Sequence, residues 1–497
     1  MGRIDRVESI RFCLQITVGC SVDIFFPLDD AYIVQHVVDG LILGAESRYA
    51  DSTPMTGATS PLFVLLVYAL AHIFEVTQAQ LTVVIGSLVA YLWGVYRFAR
   101  VSGLSALLSA LITFFALLFG HSFYQLLNGL ETGLAMAVVI WTCYLFRDGY
   151  PYYRWSFVIL GLMPFVRPEL GVLGLVVFAY ALYGVRGAAN SNRLALLGLG
   201  YAITGAAVVM LFLFWTSGSL IPNTLGAKVY FFAEGCLPFF TKLSVVASAF
   251  TSYAAFAGMG VLGVFGLAVS RLKWVAIAFF VMFFVAYVLR FPGALFHNHY
   301  RYVHLLFPLI VVGWISLLSS NKGWLVRGSF GLFLVSLSWS GLGFSRVIAD
   351  YQEGMRISRV ELKGVADWVA EHVPELDSVL VHDAGFISLV GKQPLVDLVG
   401  LKSPSSVEAH RKYTWPRCGR APEAIDEIAS KTGASYFVVL DDWDRIFRLT
   451  DSLRYMGWHV ERADSQRGAT KYHVYQITVI PTKTLAPINR RSGDSKK

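Results

Sequence analysis

The sequence predicts an α-helical, polytopic membrane protein with about 11 transmembrane helices and a small α/β domain at its C-terminal end. Of the 497 residues, 56% are hydrophobic and 15% are charged, whereas soluble chains carry about 25% charged residues. The mean hydropathy is +0.57, and apolar runs alternate with short polar loops up to about residue 343. This composition excludes a large soluble enzyme, because so much apolar surface needs a bilayer to cover it.

Eleven apolar segments are long enough, some of them only barely, to cross a bilayer. The first has arginines before it and no small-residue cleavage site, so we predict a retained anchor and not a signal peptide. The segments lie at 10–28, 78–97, 104–120, 132–147, 155–167, 168–184, 194–217, 243–270, 273–290, 301–319 and 323–343.

The apolar run at 61–76 is predicted to be an interfacial or re-entrant helix instead of a further span. With this assignment the basic loops 97–100, 147–154, 184–193, 270–273 and 321–327 all face the cytoplasm, as the positive-inside rule expects. Eleven spans from a cytoplasmic N-terminus then place everything after Gly343 outside. The same arrangement brings five polar clusters to the extracytoplasmic face: 29–30, 128–131, 167–169, 221–228 and 290–301.

Residues 346–481 are predicted to form an extracytoplasmic α/β domain, following a membrane domain at 1–345 whose first outer loop is 29–77. The pattern indicates helices at 361–373 and 441–457 and strands at 378–385, 434–440 and 472–480. Residues 482–497 are a basic, disordered tail by composition.

Charge and cysteine content narrow the choice of partners. The net charge of +8 comes from lysines and arginines at segment ends and in the last 150 or so residues, which fits contact with anionic membrane lipids and not with nucleic acid. The five cysteines lie far apart without any CxxC pair. Neither a disulfide framework nor a zinc site is therefore predicted.

Asp29 and Asp30 follow the first apolar segment. A carboxylate pair at a membrane boundary is costly to desolvate, so it has a function or stays in water as the N-cap of a surface helix. A carboxylate in hydrogen-bond reach of a hydroxyl is the usual base for removing its proton. Because adjacent side chains point in different directions, we expect one base and one positioning acid.

Two further acids have structural alternatives. Glu131 precedes an apolar span, where it either favours the helix N-terminus electrostatically or binds an acceptor. Arg167 and Glu169 flank Pro168 between two apolar runs. They either pair with each other or leave Arg167 to bind a phosphate through its planar fork.

Cationic and aromatic residues occur together in two predicted outer loops. Lys228, Arg290, His297, His299 and Arg301 lie among aromatic residues, which suggests a surface for a polyprenyl phosphate, although anionic headgroups alone also explain isolated cations. The paired histidines lack a third nearby ligand in the sequence, so we predict no metal site there.

The glycines in 258–266 indicate close helix packing. HDAGF (382–386) and VDLVGL (396–401) are interpreted as loop acids at strand ends.

The order of these motifs resembles the GT-C superfamily of membrane glycosyltransferases. The resemblance rests on DDAYI (29–33), NGLET (128–132), RPE (167–169), IPNTLGAK (221–228), RYVHLLFPL (301–309) and DAG…VDLVGL (383–401), and it spans roughly residues 10–400. It is nearest to bacterial arabinofuranosyltransferases and to enzymes that modify lipopolysaccharide or pilin.

The resemblance implies an inverting transfer, outside the inner membrane, from a polyprenyl-phosphate-linked sugar to a glycan, lipid or protein acceptor of the cell envelope. It implies Asp29 as the catalytic acid with Asp30 beside it, Glu131 as a further acid that contacts the acceptor, and Arg167, Lys228 and Arg301 as cations for the lipid phosphate. From their positions in the predicted outer clusters we add Glu169 as an acceptor-positioning acid and Arg290 and His299 as donor-phosphate ligands. The resemblance implies no cofactor with certainty and leaves a divalent cation open. A pentose such as arabinofuranose is one candidate sugar.

Departures and rival functions remain. The loop ADSTPMTGATSPLF (50–63) differs from the Gly-Tyr-Thr-Asn/Ser-Pro sequence of many relatives, and the C-terminal domain is shorter than the carbohydrate-binding domain of the arabinosyl enzymes. A lipid-linked-sugar flippase would spread polar residues through the membrane depth, and an O-antigen-type ligase would carry a large late outer loop. The sequence instead concentrates its polar residues on one side and at the C-terminal end.

Overall fold

The structure is a computed structural model that describes residues 24–479 except 152, 188–189, 219–223 and 468–469. Most of the predicted first span and the whole basic tail lie outside the described residues. The IPN residues of the 221–228 motif lie outside them too.

Long apolar helices form the first part of the described chain. Among the described residues, five helices are long and apolar enough to cross a membrane: Val76–Val101, Ser191–Ser217, Phe239–Val269, Lys273–Arg290 and Gly323–His372. A pair bent by 85°, Pro292–Tyr300 with Val303–Leu318, makes a sixth candidate. Shorter apolar helices are Ala106–Leu118, Thr132–Leu145, Arg154–Val166 and Pro168–Gly184. Every predicted span from 78–97 onward therefore coincides with a helix, while the helix lengths leave the count of eleven spans open.

The predicted first outer loop contains two short helices, Asp30–Leu43 and Pro61–Ala71. The second has 11 residues, which is about 16 Å of helix against a hydrocarbon core of about 30 Å. Its placement as an interfacial or re-entrant helix stays a prediction. The first is not a surface helix, because its residues from Ala31 to Val38 are buried.

Residues of four of the predicted basic loops meet at one end of the helix bundle. Phe98, Arg147, Arg271 and Lys322 line one groove of about 720 Å³. The helix Val76–Val101 runs from there to the other end, where Gln80 Nε2 donates a hydrogen bond to the carbonyl oxygen of Gly129. The separation of basic loops from acidic clusters that the charge pattern predicts is thus present in the fold.

The C-terminal domain is built on a five-stranded mixed sheet. The strands are β1 (Ser378–Val381), β2 (Leu395–Asp397), β3 (Ala434–Leu440), β4 (Trp458–Arg462) and β5 (Tyr472–Val479), in the order β2-β1-β3-β5-β4. β1 pairs in parallel with β2 and β3, and β5 pairs antiparallel with β3 and β4. The helices around it are Lys363–His372, Pro404–Ala409, Pro422–Thr432, Asp441–Phe447 and Leu449–Tyr455.

The predicted strands near 378, 434 and 472 are present, whereas β2, β4 and the helix Pro422–Thr432 were not predicted. The helix predicted at 441–457 is two helices, broken at Arg448 with a φ of +53°. The last long helix, Gly323–Arg356, continues through a π-helical segment, Ile357–Leu362, into Lys363–His372. The boundary predicted at residue 345 therefore falls inside a helix.

Contacts with the first loop fix the C-terminal domain in place. A shared hydrophobic core contains Tyr32 and Val37 from the loop, Phe26 just before it, and Val379, Phe386 and Val474 from the domain. Within 45–50, the buried Glu46 pairs with Lys402 at 2.9 Å. The Arg48 guanidinium donates to the carbonyl oxygens of Val390 and Gln393 at 2.8 Å each.

A disulfide adds a covalent link. Cys236 and Cys418 are bonded, with their Cα atoms 5.5 Å apart, and they join the loop after the helix Thr224–Phe232 to the C-terminal domain. The prediction of no disulfide was therefore wrong. The two cysteines are 182 residues apart, and a local spacing pattern cannot show such a pairing.

Candidate active site

A polar cavity of about 290 Å³ lies between the helix bundle and the C-terminal domain. The bundle and first loop supply Asp29, Asp30, Lys228 and Arg301, and the domain supplies His382, Asp383, Trp443 and Tyr472. Both predicted catalytic acids and two predicted cations are thus brought together, across the two parts of the chain.

The Asp29 carboxylate is held by backbone N–H groups of the C-terminal domain. Gly385 donates to its Oδ2 at 2.7 Å and Phe386 to its Oδ1 at 2.8 Å. Asp29 occupies the N-cap position of the helix Asp30–Leu43 but makes no capping bond with its side chain. Burial raises the pKa of Asp29 well above its usual value, and the charge of Asp383 adds to this, although the two backbone bonds oppose it.

Asp30 has the opposite electrostatic environment. Arg301 Nη1 donates to its Oδ2 at 3.1 Å. Burial raises the pKa of Asp30, but the nearby Lys228 and Arg301 cations outweigh burial, so that its pKa lies below the usual value. The two adjacent acids are therefore distinct: Asp30 stays ionised in an ion pair, while Asp29 is the stronger base.

Arg167 is enclosed by carboxylates. Its Nη1 donates to Glu131 at 2.6 Å and its Nη2 to Glu169 at 3.1 Å, and Tyr287 donates to the same Glu169 oxygen at 2.5 Å. The guanidinium lies 4.6 Å from the centre of the Tyr302 ring. The structure thus matches the alternative in which Arg167 and Glu169 pair with each other, and it pairs Glu131 with Arg167 as well.

A second, apolar cavity adjoins the polar one. Its volume is about 270 Å³, and its walls include Val172, Val229, Ala286, Tyr287, Arg290, Phe291 and Tyr302. Lys228 lies in the walls of both cavities, with its Nζ 3.4 Å from the Tyr302 hydroxyl oxygen. A cation thus lies where a polar and an apolar compartment meet.

His299 lies elsewhere, which corrects its predicted place among the phosphate ligands. His297, two residues earlier, lines the polar cavity, whereas His299 faces Asp350 at 4.0 Å. The cause is the backbone, because Asn298, His299 and Tyr300 all have positive φ values, which reverse the direction of the chain between the two histidines. Arg290 lines only the apolar cavity among those described here.

The C-terminal contribution to the cavity was missed in the sequence, where HDAGF was interpreted as an ordinary strand-end loop. Tyr472 donates a hydrogen bond to Asp383 Oδ2 at 2.6 Å, which fixes that carboxylate at the cavity wall. Gly385 is required where it stands, because a Cβ on it would clash with the backbone carbonyl oxygen of Asp29 and would lie 2.7 Å from its Oδ2. The Asp-Ala-Gly sequence directly after a buried strand was the available signal.

The fold and this cavity define a class: a polytopic membrane protein with a polar cavity between its helix bundle and a C-terminal domain. The chain is similar to ArnT from Cupriavidus metallidurans bound to undecaprenyl phosphate, with 13% identity, a TM-score of 0.53, and coverage of 96% of this chain and 97% of that one. Against apo ArnT the identity is 14% and the TM-score 0.52, with 95% and 96% covered. The GT-C resemblance is confirmed at the level of the fold.

Other comparisons add little about function. Residues 348–478 match a family described as a domain of unknown function, DUF8728. No curated protein matches the chain.

Proposed function

We propose that the chain is a membrane glycosyltransferase that transfers a sugar from a polyprenyl-phosphate donor to a cell-envelope acceptor. The observation that carries this proposal is Lys228 in the shared wall of the two cavities. A lipid-linked sugar has an apolar chain, a phosphate and a polar sugar in that order. The apolar cavity, Lys228 and the polar cavity have the same order.

Each part of the donor is bound by residues of the same polarity along the two cavities. The polyprenyl chain lies against Val172, Val229 and Ala286 in the apolar cavity, and the phosphate lies at Lys228 with Arg290 near the entrance. The sugar extends toward Asp30 and Arg301. This assignment agrees with the undecaprenyl phosphate bound by the structurally similar ArnT.

The reaction needs one base and one anion-stabilising cation. Asp29 removes the proton from an acceptor hydroxyl, whose oxygen attacks the anomeric carbon of the sugar. The bond from that carbon to the phosphate oxygen breaks, and the polyprenyl phosphate leaves with the electron pair, stabilised by Lys228. A single displacement of this kind inverts the anomeric centre. Asp30, ionised and paired with Arg301, is a weaker base and serves to position the sugar.

We place the enzyme in the bacterial inner membrane, with the polar cavity and the C-terminal domain on the extracytoplasmic side. The basic groove around Arg147 and Arg271 at the other end of the bundle supports this orientation. The disulfide Cys236–Cys418 supports it as well, because disulfides persist in oxidising compartments. The acceptor is a hydroxyl of an envelope glycan, lipid or protein.

The test uses purified full-length protein in nanodiscs with a panel of synthetic polyprenyl-phosphate pentoses and hexoses, arabinofuranose included, and an envelope extract as acceptor. Release of polyprenyl phosphate is measured for the wild type, Asp29→Asn and Lys228→Met. Glu371→Gln, an exposed acid of the C-terminal domain, is the matched control.

We expect release with one donor class, a loss of at least about a hundredfold in Asp29→Asn, since general bases contribute about 10²–10⁴, and a raised KM for donor in Lys228→Met. Glu371→Gln should match the wild type. Wild-type transfer by folded Asp29→Asn would refute the role of Asp29. Absence of release with every donor would refute the enzyme and favour a flippase or a ligase.

A further inference from the structure

Two histidines and one aspartate meet outside both cavities. The ligand atoms of His121, His299 and Asp350 all lie within 4.8 Å of one another. His121 Nε2 is 3.0 Å and His299 Nδ1 is 4.0 Å from Asp350 Oδ2. Two ligands at about 2 Å from a tetrahedral zinc ion lie about 3.3 Å apart, so small side-chain shifts would bring the three atoms around one ion.

Buried hydrogen bonds hold the turn that presents His299. Gln125 Nε2 donates to the carbonyl oxygens of Asn298 and His299 at 2.7 and 3.2 Å, and Asn128 fixes that amide by donating to its Oε1 at 2.9 Å. The left-handed backbone at Asn298 and His299 costs free energy in residues other than glycine. The fold maintains this conformation, which brings His299 to Asp350.

The cluster combines rigidity with access. The His121 side chain is 5% exposed and lies flat against Phe256, with ring centres 4.2 Å apart. Asp350 is 29% exposed and His299 36% exposed. One ligand is thus fixed by packing, while the other two face solvent, which gives an ion a path of entry.

We propose that His121, His299 and Asp350 form a site for a divalent transition-metal ion, with zinc as the best match. Two imidazoles and one carboxylate are a donor set that zinc binds in proteins with a fourth position left for water. His121 and Asp350 lie far from His299 in the sequence. For this reason the neighbouring histidines His297 and His299 did not by themselves indicate a metal site.

The site is separate from the proposed transfer chemistry but adjacent to it. Arg301, which binds Asp30, follows His299 by two residues. An ion on His299 would stabilise the turn from which Arg301 extends. The site joins the segment before the helix Ser122–Leu127 to the last long helix, which carries Asp350, so its role is to stabilise the outer end of the bundle.

The test measures metal and not sugar transfer. Full-length protein in nanodiscs, freed of its affinity tag, is stripped with chelator and dialysed against Zn²⁺ or Co²⁺. We expect one equivalent of zinc, and for Co²⁺ a visible absorption band typical of a tetrahedral site. Affinity should fall at least about tenfold in His299→Ala and in Asp350→Asn. His297→Ala is the matched control and should retain the metal.

Zinc should also raise the unfolding temperature of the wild type but not that of His299→Ala. Two partly exposed ligands are substituted instead of the buried His121, so that both variants keep the core intact. The proposal is overturned by wild-type protein that holds no metal at micromolar concentrations, by unchanged affinity in both variants, or by equal loss in His297→Ala. None of these outcomes depends on sugar transfer.

Discussion

Replacing Arg167 by methionine should destabilise the folded protein by about 3–5 kcal/mol, the cost of removing one partner from a buried ion pair. The Arg167 side chain is 1% exposed, and its partners Glu131 and Glu169 are 4% and 18% exposed. Methionine fills similar space but leaves two carboxylates without their cation. The loss should therefore exceed that of a surface pair, which is worth about 0–1 kcal/mol.

A double variant separates the charge effect from packing. Arg167→Met combined with Glu131→Gln removes both the cation and one of the stranded charges, so part of the lost stability should return, with a coupling of about 0.5–3 kcal/mol. Unfolding is followed in nanodiscs with denaturant. Arg147→Met is the control, because Arg147 is 36% exposed and pairs with a half-exposed Asp148 at the other end of the bundle.

The single variant Arg167→Met decides whether Arg167 is structural or binds the donor phosphate. If Arg167 is structural, stability falls while the donor KM of the remaining folded protein changes little. The opposite result, wild-type stability with a donor KM raised many-fold, would refute the argument from burial and return Arg167 to the phosphate ligands.

Two further predictions concern the contact between Asp29 and the C-terminal domain. Asp383→Asn removes a charge that raises the pKa of Asp29. Because the base must be ionised, the ascending limb of the pH–rate profile should move to lower pH. A limb that does not move would contradict the electrostatic coupling between Asp383 and Asp29, and Glu371→Gln serves as the control. Gly385→Ala places a methyl group against the backbone carbonyl oxygen of Asp29 and 2.7 Å from its Oδ2. It should therefore displace Asp29 and lower transfer by about tenfold or more, the value of one hydrogen bond to a charged group. Gly364→Ala, whose added Cβ would lie 3.2 Å from the end of the flexible Arg467 side chain, should transfer normally, and equal activity in the two variants would argue against a fixed Asp29.

Periodicity and charge predicted much of this architecture. Each apolar run from 78–97 onward is a helix, and the strands at 434–440 and 472–480 lie where alternation placed them. The convergence of Asp30, Lys228 and Arg301 followed from the positive-inside rule, because one choice of topology put all three at the same face. Side-chain periodicity is a property of one segment, and the positive-inside rule depends on the total charge of each loop, so both can be taken directly from the sequence.

The remaining features depend on contacts between distant residues. The bond from Gly385 to Asp29 spans 356 residues, and the Cys236–Cys418 pair spans 182. The pairing of Arg167 with Glu131 was equally hidden, because several acids and cations share the same end of the bundle. Sequence showed which charges meet there but not which carboxylate each cation binds.

The dependence of Asp29 on the C-terminal domain bears on why the chain has such a domain. Asp29 follows a short segment without regular secondary structure, and the two backbone N–H groups that fix both of its oxygens come from residues 385 and 386. A base must hold its position to within a fraction of an ångström, and the shared core, the Glu46–Lys402 pair and the disulfide all resist movement of the domain relative to the first loop. The domain is therefore a wall of the polar cavity, and its docking contacts contribute to the position of Asp29, the base that we propose.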